Sequence, residues 1–574
     1  MKKIISYCKP FAGLLAIMTV IKFIGTMMDL VIPYILGYIL DEVVPRCSAD
    51  HIAPVFFWGA MMIVCALVAL FSNVYANRHI SLYSTKIVKK IRCDLFDKIL
   101  SLSAAQTDAF TVPSLVARMS SDTYSIHNML NMTFRAGVRA PILLIGGIGI
   151  TLFIEPVLSL TLIALLPVMA FVVVSVSKKG VKLFKFKQEK VDRMVEKVRD
   201  TFTGIRVIKA LSKTHYEKDS FGAINEDLSH SEEKANVTMA ITPATVTLCL
   251  NLGMTAVVVL GAYRVFSGHS TPGQIISFMQ YFTQILNATL ALTRIFIIYS
   301  RGAASADRLA EVLEEKEDLA LLPPSAPEKD AEFLEFRNVT FSYNKTIPTV
   351  ENISFRLKKG GTLGIIGGTG SGKSTLIQLL MRFYDPDEGQ ILLEGRDLRT
   401  IPAKELKEHF GVIFQNDFLM AETLRENILF GRNLSEEDLK KAAESAQALS
   451  FIETLSDGFD YTLTTKGANL SGGQRQRVLI SRALAGNPEI LILDDASSAL
   501  DYKTDAQLRG ALRKNYDNTT KIIVAQRISS IRDADLILVL EHGTICGIGT
   551  DKELSETCEI YREIAQSQMG EMQI

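Results

Sequence analysis

The run GTLGIIGGTGSGKST, residues 361–375, decides how this 574-residue chain is read. Leu363, Gly364, Ile365 and Ile366 are the apolar run of a buried strand, and a glycine loop and a helix start are expected after it. Gly367, four residues, and then Gly372-Lys373-Ser374 match the spacing of a phosphate loop. In such a loop Gly367, Gly368, Thr369, Gly370, Ser371 and Gly372 turn backbone N–H groups toward the phosphates of ATP, and the helix N-terminus adds its positive end. Lys373 supplies a point charge, Ser374 a hydroxyl for Mg²⁺, and Thr375 completes the cradle.

Two further runs downstream belong to the same chemistry. ILILDD (490–495) is an apolar strand ending in two carboxylates, which places Asp494 at a strand end suited to Mg²⁺. LSGGQRQR (470–477) places Ser471, Gly472, Gly473 and Gln474 at the start of a predicted helix, a second anion-binding surface. Two phosphate surfaces in one domain make sense if each serves a different nucleotide, shared across a dimer. Short β-rich runs alternate with helical patterns from about residue 332 onward, which predicts an α/β domain over 332–574. Ahead of it, KEDLALLPPSAPEKD carries Pro323, Pro324 and Pro327 among charges and reads as a linker over 316–331.

Upstream the character changes. The mean hydropathy is +0.21 although 22% of residues are charged, so greasy and charged segments are kept apart. Charge-free runs of about the 20 residues needed to cross a bilayer lie at 52–77, 156–177, 235–263 and 265–293. Two more spans, near 12–40 and 126–154, are interrupted by Lys22 and Asp29 and by Arg135 and Arg139. An all-α transmembrane domain of six helices over 1–315 is therefore expected. The connections 78–98 and 178–234 are rich in Lys and Arg and are assigned to the cytoplasm, which puts the C-terminal half there too. Helical periodicity runs past the membrane on both sides of each connection, with short crossing segments expected near 107–122 and 213–226. Charged groups inside spans are functional candidates. Asp29, Arg135 and Arg139 therefore join Gln280, Gln284 and Asn287 as candidate cavity residues, with scaffold pairing as the competing role.

The 62 basic and 62 acidic residues balance, which excludes a general nucleic-acid binder. Seven cysteines without CxxC spacing give neither a disulfide framework nor a zinc site. The first apolar stretch is too long for a signal peptide, and the ten or so residues before it leave no room for an N-terminal protease.

With these motifs in order, the chain resembles a half-size ABC exporter, and its C-terminal half resembles the ABC nucleotide-binding domain. GGTGSGKST is similar to Walker A, ILILDD to Walker B and LSGGQ to the signature. GVIFQND (411–417) resembles the Q-loop with Gln415 as its glutamine, a further Mg²⁺ contact, and SALD (498–501) resembles the D-loop. Tyr343 stands where the aromatic loop would stack on adenine. VPSLVARMSSDT (112–123) and TGIRVIKALSKTHYEKDSF (203–221) resemble the loops carrying the coupling helices.

The resemblance also exposes departures. Where the family has a catalytic glutamate, this chain has Asp495, the same group on a stem one methylene shorter. Where the family has a switch histidine, it has Gln526, which donates a hydrogen bond but relays no proton. Thr465 replaces a glutamate usual before the signature. The phosphate cradle, Asp494 and LSGGQ are intact. The combination resembles the degenerate-site subunit of a heterodimeric, multidrug-type exporter in the cell membrane. Such a chain binds ATP at a slow site and lends its signature to a partner half-transporter carrying the standard glutamate and histidine. A homodimer using Asp495 as base and an ATP-binding gating subunit are the alternatives. The expected cargo is a small molecule, lipid or peptide, moved across the membrane lipids.

Overall fold

The computed structural model describes residues 2–47, 52–316, 318–324, 326–328, 330–496 and 498–571. The chain divides into two units. One holds residues up to Leu100 and then Val112–Glu315, and the other holds Ser101–Thr111 and Lys316 onward.

The first unit is helical. Five of its helical stretches are long and apolar enough to cross a membrane: Lys3–Arg46, Ala53–Ser101, Val112–Ile154, Thr247–Phe266 and Pro272–Glu314. The span expected at 156–177 lies in the helix Pro156–Thr203, of which Pro156–Leu165 is a continuous apolar described stretch; most side chains of 166–177 lie outside the described residues. Several helices far exceed a bilayer. Thr214–Phe266 has 53 residues, about 80 Å against a hydrocarbon core of about 30 Å. The first crossing expected near 107–122 is made of two short helices, Ala104–Phe110 and Val112–Ala117. The second lies earlier than expected. Its short helix is Ile205–Ala210, and residues 214–226 are already inside the long helix. Gly204 ends the preceding helix and Ser212 takes a left-handed φ of 53°, a turn that helical periodicity does not announce.

The second unit is α/β. Its strands are β1 Leu334–Phe341, β2 Val350–Leu357, β3 Thr362–Gly367, β4 Glu388–Leu393, β5 Arg396–Asp397, β6 Phe410–Ile413, β7 Ile490–Asp494, β8 Thr520–Val524, β9 Leu536–Glu541 and β10 Thr544–Gly549. A small antiparallel sheet has the order β2-β1-β4-β5. The larger sheet runs β10-β9-β3-β8-β7-β6 and is parallel from β9 to β6. Its inner strands are buried on both faces. All five residues of β7 are buried, and its first four read as an unbroken apolar run. In such a sheet ligands sit beyond the carboxyl ends of the strands. Ile365 of β3 and Asp494 of β7 both stand opposite Val524 of β8, which brings three strand ends level.

Residues read as a linker run along this unit. Leu322 N donates to the Arg399 carbonyl at 2.9 Å, Glu328 N to that of Gly395 at 3.0 Å, and Arg382 holds the Ala320 carbonyl at 2.8 Å. The helix Ala104–Phe110 packs here as well. Ser103 donates to Asp318 at 2.8 Å, Gln106 to the Lys316 carbonyl at 2.5 Å, and Tyr384 to Asp108 at 2.7 Å.

Candidate functional site

The phosphate loop leaves β3 at Gly367, where a Cβ would sit 2.1 Å from the Leu540 carbonyl oxygen. Only glycine lets the backbone pass so close to β9. At the other end Gly372 caps the helix Lys373–Leu380 with φ 96°, and a Cβ there would meet Val350 at 2.6 Å. Between them the loop turns around the Lys373 ammonium, which donates to the Gly367 and Gly368 carbonyls at 2.9 and 2.6 Å. Burial lowers the pKa of this lysine, opposed by the carboxylates of Asp494 and Asp495. A cation folded onto carbonyls in a half-buried loop is a ready partner for a polyanion. Gly372→Ala is expected to destabilise this unit by about 2–5 kcal/mol, from left-handed strain and overpacking together. It is also expected to abolish nucleotide binding, as checked by thermal unfolding and by titration with a fluorescent ATP analogue.

A cavity of about 210 Å³ opens at this loop, lined by Thr349, residues 369–375, Gln415, Asp494, Asp495 and Gln526 among others. Chain segments separated by more than 100 residues thus converge on the strand ends. Asp494 is buried and accepts a hydrogen bond from the Ser374 hydroxyl at 3.1 Å. Burial pushes its carboxyl up and the neighbouring Asp495 adds to this, with the Ser374 hydroxyl and the Lys373 ammonium opposing. A hydroxyl and one buried carboxylate side by side, with room for phosphates, fit Mg²⁺. That ion favours few protein ligands and shares the rest of its shell with water and phosphate.

Asp495 takes a left-handed φ of 54°, and its N–H donates to the Val524 carbonyl at 2.9 Å. Its carboxylate accepts from Gln526 Nε2 at 3.1 Å. The two residues that depart from the motif are therefore bonded to each other. Burial raises the Asp495 pKa as well, with Arg527 and Lys373 opposing.

Tyr343 is half exposed. Its hydroxyl donates to Gln378 at 2.5 Å, and its ring meets Tyr384 edge-on at 5.2 Å. The signature is placed elsewhere. Ser471 caps the helix Gly472–Leu484, accepting from Gln474 N at 3.3 Å, while Gln474 Oε1 accepts from Ser471 N at 2.9 Å. Among the described residues, neither these two nor Gly472 and Gly473 line the phosphate-loop cavity. Thr465 is exposed on a short turn before them. Asp501 of the D-loop caps the helix Tyr502–Asn515.

Two family models match the chain. Residues 15–289 match the family model for the ABC transporter transmembrane region, and residues 350–498 that for ABC transporter. The chain is 32% identical over 572 residues to YfiB, an ABC transporter ATP-binding protein of Bacillus subtilis, covering 99% of both chains. The chain belongs to the ABC transporter family. It is also 31% identical over 581 residues to YknU of Bacillus subtilis, covering 100% of this chain and 98% of that one. A solved bacterial Atm1-family ABC exporter with ATP bound superposes with a TM-score of 0.80 at 23% identity, covering 98% of each chain, which speaks to the fold. This ABC transporter thus joins a helical transmembrane domain to an α/β ATP-binding domain.

Within the membrane unit Asp29 pairs with Arg139 at 3.0 Å, and Lys22 donates to Asn77 at 2.6 Å. Gln284 keeps a buried oxygen with no hydrogen-bond partner among the described residues, while Gln280 and Asn287 are exposed. Sequence reasoning missed Thr349, which lines the cradle, and Gln568 of the C-terminal helix, which holds the segment after β8. Neither belongs to a motif.

Proposed function

We propose that this chain is one subunit of an ATP-driven membrane exporter that works as a heterodimer, with six membrane-spanning helices, and that its own ATP site turns over slowly. The observation that carries this reading is the hydrogen bond between Asp495 and Gln526 at the mouth of the phosphate cradle. A general base must stand about 2.6–3.2 Å from the proton it takes. Asp495 carries its carboxylate on a stem shorter than glutamate's by about one C–C bond of ~1.5 Å, which would leave it short of that distance. Its carboxylate is further held by an amide that takes no proton itself.

The cradle around Lys373 and Ser374 is the proposed binding surface for the phosphates, and Tyr343 for the adenine. Ser374, Gln415 and Asp494 would hold Mg²⁺, which neutralises charge on the β- and γ-phosphates. Ser471, Gly472, Gly473 and Gln474 lie outside that cavity, consistent with their serving the partner's nucleotide. ATP bound between two such domains favours the closed pair and so biases the membrane domain outward, through residues 112–123 and 203–221.

Purified by itself, the full-length chain is expected to bind ATP yet release phosphate slowly. Phosphate release measured on the wild type and on Lys373→Ala tests this. A brisk rate that the lysine substitution abolishes would return the chain to the class of active homodimers.

A further inference from the structure

We infer that Gln568, on the C-terminal helix Glu559–Glu571, is the positioning residue for Gln526, so that this helix sets how firmly the site distinguishes a nucleoside triphosphate from a diphosphate. The inference rests on taking Gln526, which lines the phosphate-loop cavity at the position of the family's switch histidine, as a donor to the γ-phosphate.

After β8 the chain leaves the sheet at Ala525, and the next residues no longer belong to a strand. Residues 526–528 instead find one side-chain amide. Gln568 Nε2 donates to the Gln526 carbonyl at 2.7 Å, and Gln568 Oε1 accepts from Ile528 N at 2.9 Å. A single side chain thereby satisfies both ends of the stretch, much as a neighbouring strand would. On the other side Arg509 donates to the Ser529 carbonyl at 2.6 Å. With its backbone pinned, Gln526 turns its amide onto Asp495.

Ile528 packs on the core beside Ile531, whereas Gln526 is exposed. A cavity of about 520 Å³ lies beside this segment, lined by Asp495, Gln526, Ile528, Ser530 and Gln568 among others, and this is room into which the segment can swing. The helix carrying Gln568 is itself firmly seated. Tyr561 is fully buried and donates to Asp551 at 2.6 Å, and Ile560 and Ile564 pack on a core formed by Ile531, Ile537 and Val539. The clamp thus ties a movable segment to a fixed helix.

The test uses the full-length chain and two fluorescent probes, MANT-ATP and MANT-ADP, whose dissociation rates are read by stopped flow. The γ-phosphate is the difference between them, so the ratio of the two rates reports the contacts to that phosphate, the Gln526 contact among them. Gln568→Leu keeps the side-chain volume and removes both bonds. It is expected to narrow the ratio about 3–10-fold by speeding MANT-ATP release, with MANT-ADP release unchanged. Gln568→Glu keeps the acceptor for Ile528 N and removes the donor to Gln526; it is expected to follow Gln568→Leu. Gln526→Ala narrows the ratio too, and Gln568→Leu adds nothing on top of it, because both act through one contact. An unchanged ratio in both Gln568 variants, or effects that multiply in the double variant, overturns the clamp. If Gln526→Ala leaves the ratio untouched, the γ-phosphate reading fails and the inference falls with it, a pattern distinct from failure at Gln568 alone. A purely structural role would instead shift both nucleotides together.

Discussion

Asp495→Glu combined with Gln526→His is expected to raise phosphate release at this chain's own site by about 10²–10⁴-fold, the range of a positioned general base. The gain has two sources. Glutamate extends the carboxylate by about one bond length, into hydrogen-bonding range of an attacking water. Histidine replaces the amide that now donates to Asp495 Oδ2, and it adds a group able to carry charge. The measurement needs no partner. Since both the cradle and LSGGQ are intact in this sequence, two copies of the variant can pair and complete two equivalent sites. Asp495→Glu alone is expected to supply most of the gain. A double variant that binds ATP and stays slow would place the deficit outside these two residues.

The second large effect is expected at the signature. Gly473→Asp should lower transport and ATP hydrolysis of the assembled exporter by about 10²–10³-fold, the scale seen when a preorganised anion contact is lost. It should leave nucleotide binding at this chain's own cradle unchanged, because Gly473 does not line that cavity. The sign of each contribution can be stated. A carboxylate in the first turn of the helix Gly472–Leu484 suits the helix dipole, so folding is preserved. In the proposed pairing the same carboxylate would face the partner's phosphate with like charge. The new Cβ would stand 3.3 Å from the Ala499 carbonyl, close but tolerable. Co-purification with the proposed partner, MANT-ATP titration and substrate-stimulated ATPase separate the two outcomes. Loss of binding at the cradle would show that the two surfaces are not independent.

The phosphate cradle was legible in the sequence because its geometry is local. Six consecutive residues dictate the turn, and the strand before it and the helix after it carry their own periodicity. Asp494 was legible for a related reason: a buried parallel strand reads as an unbroken apolar run, and its carboxyl end is where the chain emerges. Asp495 and Gln526 were legible only as two separate departures from a motif. That they bond to each other depends on β7 and β8 being adjacent and in register, which no local pattern encodes. Gln568 left no trace. It lies 42 positions from Gln526, on a polar helix where a glutamine is ordinary, and its role arises from where that helix packs. The early turn at residues 204–213 escaped because long amphipathic patterns continue through a short break without changing phase. The transmembrane charges were legible as candidates, and Asp29 and Arg139 proved to be partners across 110 positions.

The helix Ala104–Phe110 belongs to the nucleotide-binding unit, although more than 200 residues separate it from Lys316 and Asp318. The folding module around the cradle is therefore discontinuous, and a recombinant fragment begun at residue 332 would not reproduce it. Such a fragment would leave the Tyr384 hydroxyl without its Asp108 acceptor, and would lose the strap that Arg382 and Arg399 hold. Tyr384 stands edge-on to Tyr343, so the scar would lie one aromatic ring from the proposed adenine platform. Affinities measured on the excised fragment would then describe a damaged pocket, and a fragment begun at residue 316 with residues 101–111 grafted back through a short tether is the smaller piece to build.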